Sequence, residues 1–282
     1  MSASFKLGLA EKKLIDLALT EDFGSGDITS SALFGKKVPK VQAYFLAKEP
    51  LISAGIEVAQ AVFKKVDPKI KFKILKRDGS TCEEGDEIAI VEGAASSILT
   101  AERTALNFLQ QLSGVATQTY LFVKTIEGTG AKILDTRKTL PGWRTLQKYA
   151  VKVGGGYNHR MGLYDAYLIK DNHLALYGSI TKAIEAVRKH NKKKRKIEVE
   201  VTNLDQLDDA LKAKPDWILL DNMTLEDMRL AAMKNNGKVV LEASGNVNLD
   251  NVRAVAETGV DYISIGALTH SAPAVDISLE II

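Results

Sequence analysis

The hydrophobic pattern of the first third of the chain mixes helix and strand signals. Apolar residues recur at helical spacing over residues 7–19, and residues 21–30 break this pattern with two glycines and end in helix-capping types. Residues 40–98 show mainly short strand patterns around a helical stretch at 55–66, and a long helical pattern begins near Ser97. These patterns predict a helix, a loop and then a small α/β layer domain.

The remainder of the chain alternates apolar, strand-like runs with helical stretches. The runs recur about every 20–35 residues, which is the spacing that repeated βα units require. Strands of a parallel sheet that is covered on both faces are apolar throughout, as these runs are. The pattern therefore predicts an α/β barrel. The runs are AKILD, AYLIK, KIEVEV, DWILLD, KVVLEAS and DYISIG.

Residues that could bind a ligand or take part in chemistry lie at the end of each of these runs. The carboxyl ends of barrel strands form the active-site rim, so one register brings all of these groups to the same face. They are residues 135–138, residues 170–172, Glu200, Asp221, residues 242–246 and Gly266.

Cationic side chains are dense between residues 133 and 173. Cations beside buried strands carry a desolvation cost unless anions arrive, and arginine and lysine together suit a ligand with several acidic groups. A small polyanion is therefore the expected ligand, although salt bridges to Asp135, Asp165 and Asp171 are an alternative. The cations are Arg137, Lys138, Arg144, His159, Arg160, Lys170 and His173.

Three further features of these runs have two interpretations each. His159 either donates a hydrogen bond to an anionic ligand or is a structural histidine whose hydrogen bonds are made within the protein. Glu200 and Asp221 hold a divalent cation or sugar hydroxyls, or else pair with Lys170; their spacing is not that of a dedicated metal cage, so Mg²⁺ would arrive with substrate phosphates. The small residues at 242–246 and 263–267 surround a phosphate or form ordinary tight turns.

Composition narrows the class of protein. With 282 residues, a net charge of +3, 45% hydrophobic and 26% charged residues, the chain is an ordinary globular protein in which general binding to nucleic acid or membranes is not indicated. The basic run at 189–196 is interpreted as a solvated helix end, and the glycines at 154–156 as a helix stop. The single cysteine and the absence of a long apolar N-terminal stretch favour a cytoplasmic protein.

Seven segments, in order, resemble the quinolinate phosphoribosyltransferase family. They are EDFGSGDIT, AERTALNFLQQLSGVAT, DTRKTLPGWR, GGGYNHRMGLYDAYLIKDNH, LLDNMT, EASGNV and ISIGALTHSAP. The resemblance implies an N-terminal α/β open sandwich (1–115), an incomplete, TIM-like α/β barrel (116–270) and a C-terminal segment that returns to the first domain (271–282). It also implies a homodimer or hexamer in which the N-terminal domain of one subunit caps the barrel of another.

The resemblance also assigns site residues. It implies that Arg103 reaches the neighbouring subunit's site, although the residues alone favour a surface arginine that pairs with Glu102. The family often has glycine where Asn246 stands. Quinolinate would be held by Arg103, Arg137, His159, Arg160 and Lys170. Lys138 would lie near the phosphoribosyl donor, Glu200 and Asp221 would serve its ribose hydroxyls, and Ser244, Gly245, Asn246 and Gly266 would hold its 5-phosphate. Thr136, Ile265 and Ala267 would also bind substrate. The catalytic residues would be Lys138, Lys170, Glu200 and Asp221, and Glu200 and Asp221 would also serve Mg²⁺.

The implied reaction transfers phosphoribose to the quinolinate ring nitrogen and releases CO₂, with Mg²⁺ and no organic cofactor. Three alternatives stay open at the level of the sequence. Lys170 at a strand end suits a lyase that forms a Schiff base. A relative with the same fold would transfer phosphoribose to another acid such as nicotinate, and a non-enzymatic protein would bind a phosphorylated metabolite without turnover.

Overall fold

The computed structural model describes residues 5–282 as a mixed α/β protein. The helices are α1 Leu9–Phe23, α2 Ile28–Phe34, α3 Ile56–Val66, α4 Ala95–Thr125, α5 Arg144–Val153, α6 Asp171–Tyr177, α7 Ile180–His190, α8 Leu204–Ala213, α9 Leu225–Asn235, α10 Val252–Ala256 and α11 Ala267–His270. The strands are β1 Lys40–Ala47, β2 Leu51–Ile52, β3 Lys71–Ile74, β4 Thr81–Cys82, β5 Glu87–Ala94, β6 Lys132–Leu134, β7 Tyr167–Ile169, β8 Ile197–Val201, β9 Trp217–Asp221, β10 Val240–Ser244, β11 Tyr262–Ser264 and β12 Ile277–Ile281.

The elements form two compact units that interleave along the chain. The first unit contains the residues up to Tyr120, together with Leu140–Gly155 and Ser271–Ile282, and the second contains Leu121–Thr139 and Gly156–His270. The segment Leu140–Gly155, which the sequence assigns to the barrel, therefore belongs to the first unit. Its last turn packs closely on α4, because a Cβ added to Gly154 would lie 2.3 Å from the Ala116 carbonyl oxygen.

The first unit is built on a four-stranded sheet in the order β12-β1-β5-β3. Both neighbours of β1 are antiparallel to it, so the last strand of the chain lies in the N-terminal sheet. The amphipathic helix α3 contributes Phe63, whose ring lies 5.8 Å from that of Phe45 and 5.7 Å from that of Phe72. Phe45 and Phe63 are fully buried, so this aromatic group forms the core beneath the sheet.

The predicted loop at 21–30 is shorter than expected. Helix α1 continues to Phe23, and α2 begins at Ile28. The Asp27 carboxylate accepts a hydrogen bond from the Ser30 backbone N–H at 3.0 Å, so the capping residues of this segment start a second helix. Only residues 24–27 remain between the two helices.

The second unit contains all six predicted strand runs in one parallel sheet, in the order β6-β11-β10-β9-β8-β7. Helices α6 to α11 lie between or after these strands along the chain, as βα units require. Register pairs Leu219 with both Glu200 and Glu242, so two glutamates flank a leucine in one row of the sheet. Across residues 5–282, no helix combines the length and apolar composition needed to cross a bilayer.

Two local predictions in these units have clear outcomes. Helix α5 ends at Val153, with Gly155 at a φ of 91°, so the glycine run is a helix stop as predicted. The basic run begins in the last turn of α7, where the helix dipole stabilises positive charges, as predicted for a solvated helix end. Its last residue does not follow this description. Lys196 turns inward, with its Nζ 3.3 Å from Glu198 Oε2 and 3.4 Å from the centre of the Trp217 ring.

Candidate active site

A cavity of about 600 Å³ opens at the carboxyl ends of the barrel strands. Its wall includes every predicted site residue of the second unit, because each follows or ends a strand of the same parallel sheet. Arg103 is exposed on α4 and belongs to the first unit. The predicted residues in the wall are Thr136, Arg137, Lys138, His159, Arg160, Lys170, Glu200, Asp221, Ser244, Gly245, Asn246, Ile265, Gly266 and Ala267.

The pairing of Lys170 with Glu200, one of the two interpretations of the sequence, is present in the cavity. Lys170 follows β7, Glu200 lies in β8, and the Lys170 Nζ is 3.0 Å from Glu200 Oε2. Glu200 is 6% exposed, so the lysine compensates a nearly buried carboxylate. Asp221, at the end of β9, accepts a hydrogen bond at 2.8 Å from the Asn222 side-chain amide.

Two arginines approach each other in the wall. Burial and the positive charge of Arg137 lower the pKa of Arg160 from its ordinary value. Arg160 Nη1 donates to the Ala166 carbonyl oxygen at 3.0 Å, while its Nε is buried and has no hydrogen-bond acceptor among residues 5–282. Neighbouring cations that are partly desolvated are stabilised when an anion binds between them.

Both ring nitrogens of His159 contact protein groups. Nδ1 accepts a hydrogen bond from the Arg160 backbone N–H at 2.7 Å, and the His159 backbone N–H donates to Asp135 Oδ1 at 2.8 Å. Nε2 lies 3.0 Å from Glu198 Oε2 and 3.4 Å from Glu242 Oε2. The structural interpretation of His159 therefore accounts for its polar atoms, and the ring fixes the backbone at Arg160.

The charges of this buried group are interdependent. Burial opposes the charged form of His159, but the hydrogen bonds and charges of Glu198 and Glu242 outweigh it and raise the pKa of His159 to about 9. The Arg160 N–H opposes a second proton on the ring, because it already occupies the Nδ1 lone pair. Burial and the charge of Glu198 raise the pKa of Glu242, whereas the imidazole and Lys196 lower the pKa of Glu198 against the effect of its burial.

The loop after β10 has the conformation expected of a backbone cradle. Gly245 has a φ of 100°, and a Cβ there would lie 2.2 Å from Asn222 Oδ1. Asn246 has a φ of 49°, a region that asparagine tolerates better than most residues, which explains how it replaces glycine here. Its side-chain amide donates to Asn222 Oδ1 at 3.1 Å, so the loop is held by side chains of its own neighbourhood.

One polar cavity residue, His270, was missed by the sequence analysis. Glu242 and Ser264 also line the wall; the sequence analysis placed both at the rim, within residues 242–246 and 263–267, but gave neither an individual role. Glu198 lies behind the wall and was missed as well, although Glu198 and Glu200 alternate in a strand whose five residues are all buried. The sequence did contain a signal for Glu198. Residues i and i+2 of a strand point to the same side, so Glu198 and Glu200 place two carboxylates on one face of a buried strand.

Known proteins resemble this chain over nearly its whole length. Residues 27–113 match the N-terminal domain of quinolinate phosphoribosyl transferase, and residues 115–280 match the C-terminal domain. A probable carboxylating nicotinate-nucleotide pyrophosphorylase of Bacillus subtilis is 42% identical, with 96% of this chain and 93% of the relative covered. The carboxylating enzyme of that name from Mycobacterium leprae is 44% identical, with coverage of 96% and 97%. The solved nicotinate-nucleotide pyrophosphorylase of Francisella tularensis is 43% identical over 98% of both chains, with a TM-score of 0.93.

The fold and the cavity define a class of protein, an α/β barrel with a cation-lined cavity at the carboxyl ends of its strands. The similarities identify the family, since two family matches cover most of the chain and both relatives are more than 40% identical to it over the aligned residues. The chain belongs to the quinolinate phosphoribosyltransferase family. The motif resemblance and the predicted fold class, an α/β sandwich with a TIM-like barrel, are thereby confirmed.

Proposed function

We propose that this chain transfers phosphoribose from phosphoribosyl pyrophosphate to the ring nitrogen of quinolinate and releases CO₂, giving nicotinate mononucleotide and pyrophosphate. It is a pentosyltransferase of pyridine nucleotide biosynthesis. One observation carries the proposal: the cavity of a member of this family combines arginine and lysine side chains with two strand-end carboxylates and a small-residue loop. These are the groups that a dicarboxylic acid, a ribose and a phosphate require.

The two substrates use different parts of the wall. Arg137, Arg160 and Lys170 hold the quinolinate carboxylates, and His159 supports them by fixing the Arg160 backbone. Lys138 binds the phosphoribosyl donor. The backbone of the loop at 244–246, with residues 265–267, holds the 5-phosphate. A glycine has no side chain to keep backbone amides away from an anion.

Glu200 and Asp221 are the residues that would hold a Mg²⁺ ion supplied with the phosphates of the donor. Glu200 and Asp221 fit this ion, since their carboxylates line the cavity from neighbouring strands and Mg²⁺ prefers oxygen ligands while keeping several waters. When bound, the ion neutralises charge on the pyrophosphate leaving group. The protein's own contribution is to orient the two substrates and to stabilise positive charge on the ribose with Glu200 and Asp221 as the C1–O bond breaks.

The assembly is part of the proposal. In a homodimer or hexamer, Arg103 of one subunit completes the quinolinate site of its neighbour, and this use is supported by the exposure of Arg103 on α4. The net charge of +3 does not favour nucleic-acid or membrane partners. The cytoplasmic location that was expected from the single cysteine stays a prediction.

The test is an assay of purified protein with quinolinate, phosphoribosyl pyrophosphate and Mg²⁺, in which each component is omitted in turn. We expect nicotinate mononucleotide, pyrophosphate and CO₂ only when all three are present. Replacing quinolinate with nicotinate is the control for the acceptor, since a nicotinate-specific relative would release pyrophosphate without CO₂. Folded protein that forms no product from quinolinate would contradict the proposal.

The Schiff-base alternative is disfavoured by the surroundings of Lys170. The Lys170 Nζ lies 3.0 Å from Glu200 Oε2, and an amine held in an ion pair is not free to attack a carbonyl group. Borohydride in the presence of a carbonyl substrate provides the check: we expect no covalent adduct on Lys170.

A further inference from the structure

A single asparagine, Asn222, connects two parts of the cavity wall that serve different parts of the donor. It directly follows Asp221, the last residue of β9, and its side-chain Nδ2 donates to Asp221 Oδ2 at 2.8 Å. Its Oδ1 accepts a hydrogen bond at 3.1 Å from the side-chain amide of Asn246, in the loop after β10. Asp221 and residues 244–247 line the cavity, whereas Asn222 is not one of the described residues that do so. Asn222 therefore contacts two groups of the site without belonging to its wall.

The backbone of Asn222 is fixed against the neighbouring strand. Asn222 has a φ of 53°, in the left-handed region that glycine, asparagine and aspartate tolerate best. Its backbone N–H donates to the Ser244 carbonyl oxygen at 2.9 Å. Ser244 ends β10 and is paired with Asp221 in the register of the two strands. The turn after β9 is thus held on β10 by backbone atoms alone.

The orientation of the Asn222 amide follows from the chemistry of its partners. A carboxylate only accepts hydrogen bonds, so the amide nitrogen faces Asp221 and the amide oxygen faces the loop. The same oxygen borders the loop closely, because a Cβ on Gly245 would lie 2.2 Å from it. Asn222 is exposed, so hydrogen bonds rather than core packing hold its side chain. A change of this side chain therefore acts on the site and spares the core.

We propose that Asn222 is a positioning residue that sets the place of the Asp221 carboxylate relative to the loop at 244–246. The inference rests on the part of the proposed function that concerns the donor, in which Asp221 serves the ribose and the loop holds the 5-phosphate. Ribose and 5-phosphate belong to one molecule, so the groups that bind them must keep a matching distance. Two hydrogen bonds through Asn222 fix that distance. Phosphate held at the loop then aligns the ribose with Asp221 as the C1–O bond breaks.

A purely structural role in the turn is the competing interpretation. That role requires only the left-handed backbone and the hydrogen bond to Ser244, and both are available to aspartate and glycine. The positioning role requires, in addition, an N–H group for Asp221 and an oxygen for Asn246. The change Asn222→Asp keeps an oxygen and the turn but removes the donor. This replacement therefore separates the two roles.

The test measures single turnovers at saturating quinolinate and Mg²⁺ while the concentration of phosphoribosyl pyrophosphate is varied. Asn222→Gly accepts the backbone conformation and removes both side-chain contacts. We expect its maximal rate to fall about 10- to 100-fold, because a displacement of about 1 Å near the reacting atoms can cost about 100-fold. The half-saturating donor concentration should rise only a few-fold, since the backbone of the phosphate loop is unchanged.

Asn222→Asp should lower the maximal rate over the same range, because it leaves Asp221 without the amide donor. A wild-type rate in Asn222→Asp would show that the residue serves the turn alone and would overturn the proposal. Asn236→Gly is the matched control. Asn236 also has a left-handed backbone, with a φ of 45°, and it precedes β10, at the opposite end of that strand from the cavity. The control loses the same backbone restraint and should keep the wild-type rate; an equal loss of rate there would also contradict the role of Asn222.

A double variant tests the link to the loop. Asn246→Gly removes the amide that holds the Asn222 oxygen and suits the φ of 49° at that position. If the two asparagines form one link, Asn246→Gly slows the wild type but adds little to the slowing in Asn222→Gly. Equal slowing in both backgrounds would overturn the link. Wild-type protein that transfers phosphoribose to no acid would instead overturn the proposed function, and this inference with it. Transfer to nicotinate alone would correct the acceptor, and the same variants would then test Asn222 with the same donor.

Discussion

At the residue scale, Lys138 shows how the chain positions a cation for binding. Its backbone N–H donates to Thr136 Oγ1 at 3.0 Å, and its carbonyl oxygen accepts from Thr269 Oγ1 at 2.8 Å, so its backbone is fixed on both sides. Its Cδ lies 2.9 Å from the point where Gly266 would carry a Cβ, which shows that the lysine side chain passes over a glycine. The side chain therefore enters the cavity from a rigid base.

We expect Lys138→Ala to lower kcat/KM at least about tenfold, because hydrogen bonds to charged groups contribute roughly 1.5–3 kcal/mol. The fold should survive, since the change removes a cavity contact and no core packing. Steady-state kinetics with varied phosphoribosyl pyrophosphate measure the effect, and circular dichroism monitors the fold. Lys182→Ala on the exposed side of α7 is the control and should keep wild-type kinetics; equal kinetics in both variants would argue against a binding role for Lys138.

A second prediction at the residue scale concerns the stability of the protein as a function of pH. The pKa of Glu242 is raised above 4.5 in the folded protein by burial and by the charge of Glu198. The folded state then binds more protons than the unfolded state above pH 4.5, so this group makes stability fall as the pH rises from that value toward the raised pKa. We expect the thermal midpoint of Glu242→Gln to fall less over this range than that of the wild type. Parallel curves for the two proteins would show that Glu242 is ionised at its ordinary pKa.

At the scale of elements, the loop that follows β10 connects sequence to function most directly. Gly245 combines a left-handed backbone with a close approach to Asn222, so two constraints act on one position. Gly245→Ala should strain the loop and push it away from Asn222. We expect a rise of at least about tenfold in the KM for phosphoribosyl pyrophosphate, from strain of order 1–3 kcal/mol.

Gly237→Ala is the matched control for this loop. Gly237 has a φ of 71°, and nothing lies within 4 Å of its added Cβ, so backbone strain is the only penalty there. The control should lower the thermal midpoint without a change in KM. A KM for phosphoribosyl pyrophosphate that stays at the wild-type value in Gly245→Ala would contradict the assignment of this loop to the phosphate.

Elements also show which parts of the structure the sequence could predict. All six barrel strands were recognised, because a parallel strand buried on both faces is apolar along its length, as Ile218, Leu219 and Leu220 of β9 are. The start of α2 within residues 21–30 was harder to predict. Asp27 can be recognised as a cap only if a helix follows it, and α2 has only seven residues. The contact between Glu198 and His159 joins residues far apart in the chain, and local patterns carry no information about such pairings.

At the scale of the whole molecule, the chain runs repeatedly between its two units. The segments Leu140–Gly155 and Ser271–Ile282 both belong to the first unit, although the barrel sequence precedes or follows each of them. Hydrophobic periodicity predicts a helix before the glycines at 154–156 but does not say which unit it joins, and the return of residues 271–282 was implied only by the family resemblance. Local sequence patterns likewise carry no information about how chains assemble, so the dimer or hexamer and the shared site stay predictions.

The shared site can be tested by mixing two inactive proteins. Arg103→Ala removes the contribution that one subunit is proposed to make to its neighbour, and Lys138→Ala disables the barrel site. In a mixed dimer, one of the two sites receives a wild-type Arg103 from one chain and a wild-type barrel from the other. We therefore expect mixing to restore up to about a quarter of wild-type activity, because random exchange makes half of the dimers mixed and each has one intact site.

The design contains its own control, because the double variant Arg103→Ala/Lys138→Ala mixed with either single variant forms no intact site and should stay inactive. Subunit exchange is measured independently by fluorescence energy transfer between labelled chains. If exchange is complete and activity does not return, Arg103 acts within its own subunit or not at all. If activity returns in the mixture alone, each working site is composite, and dilution below the dissociation constant of the assembly should abolish turnover even though every chain remains folded.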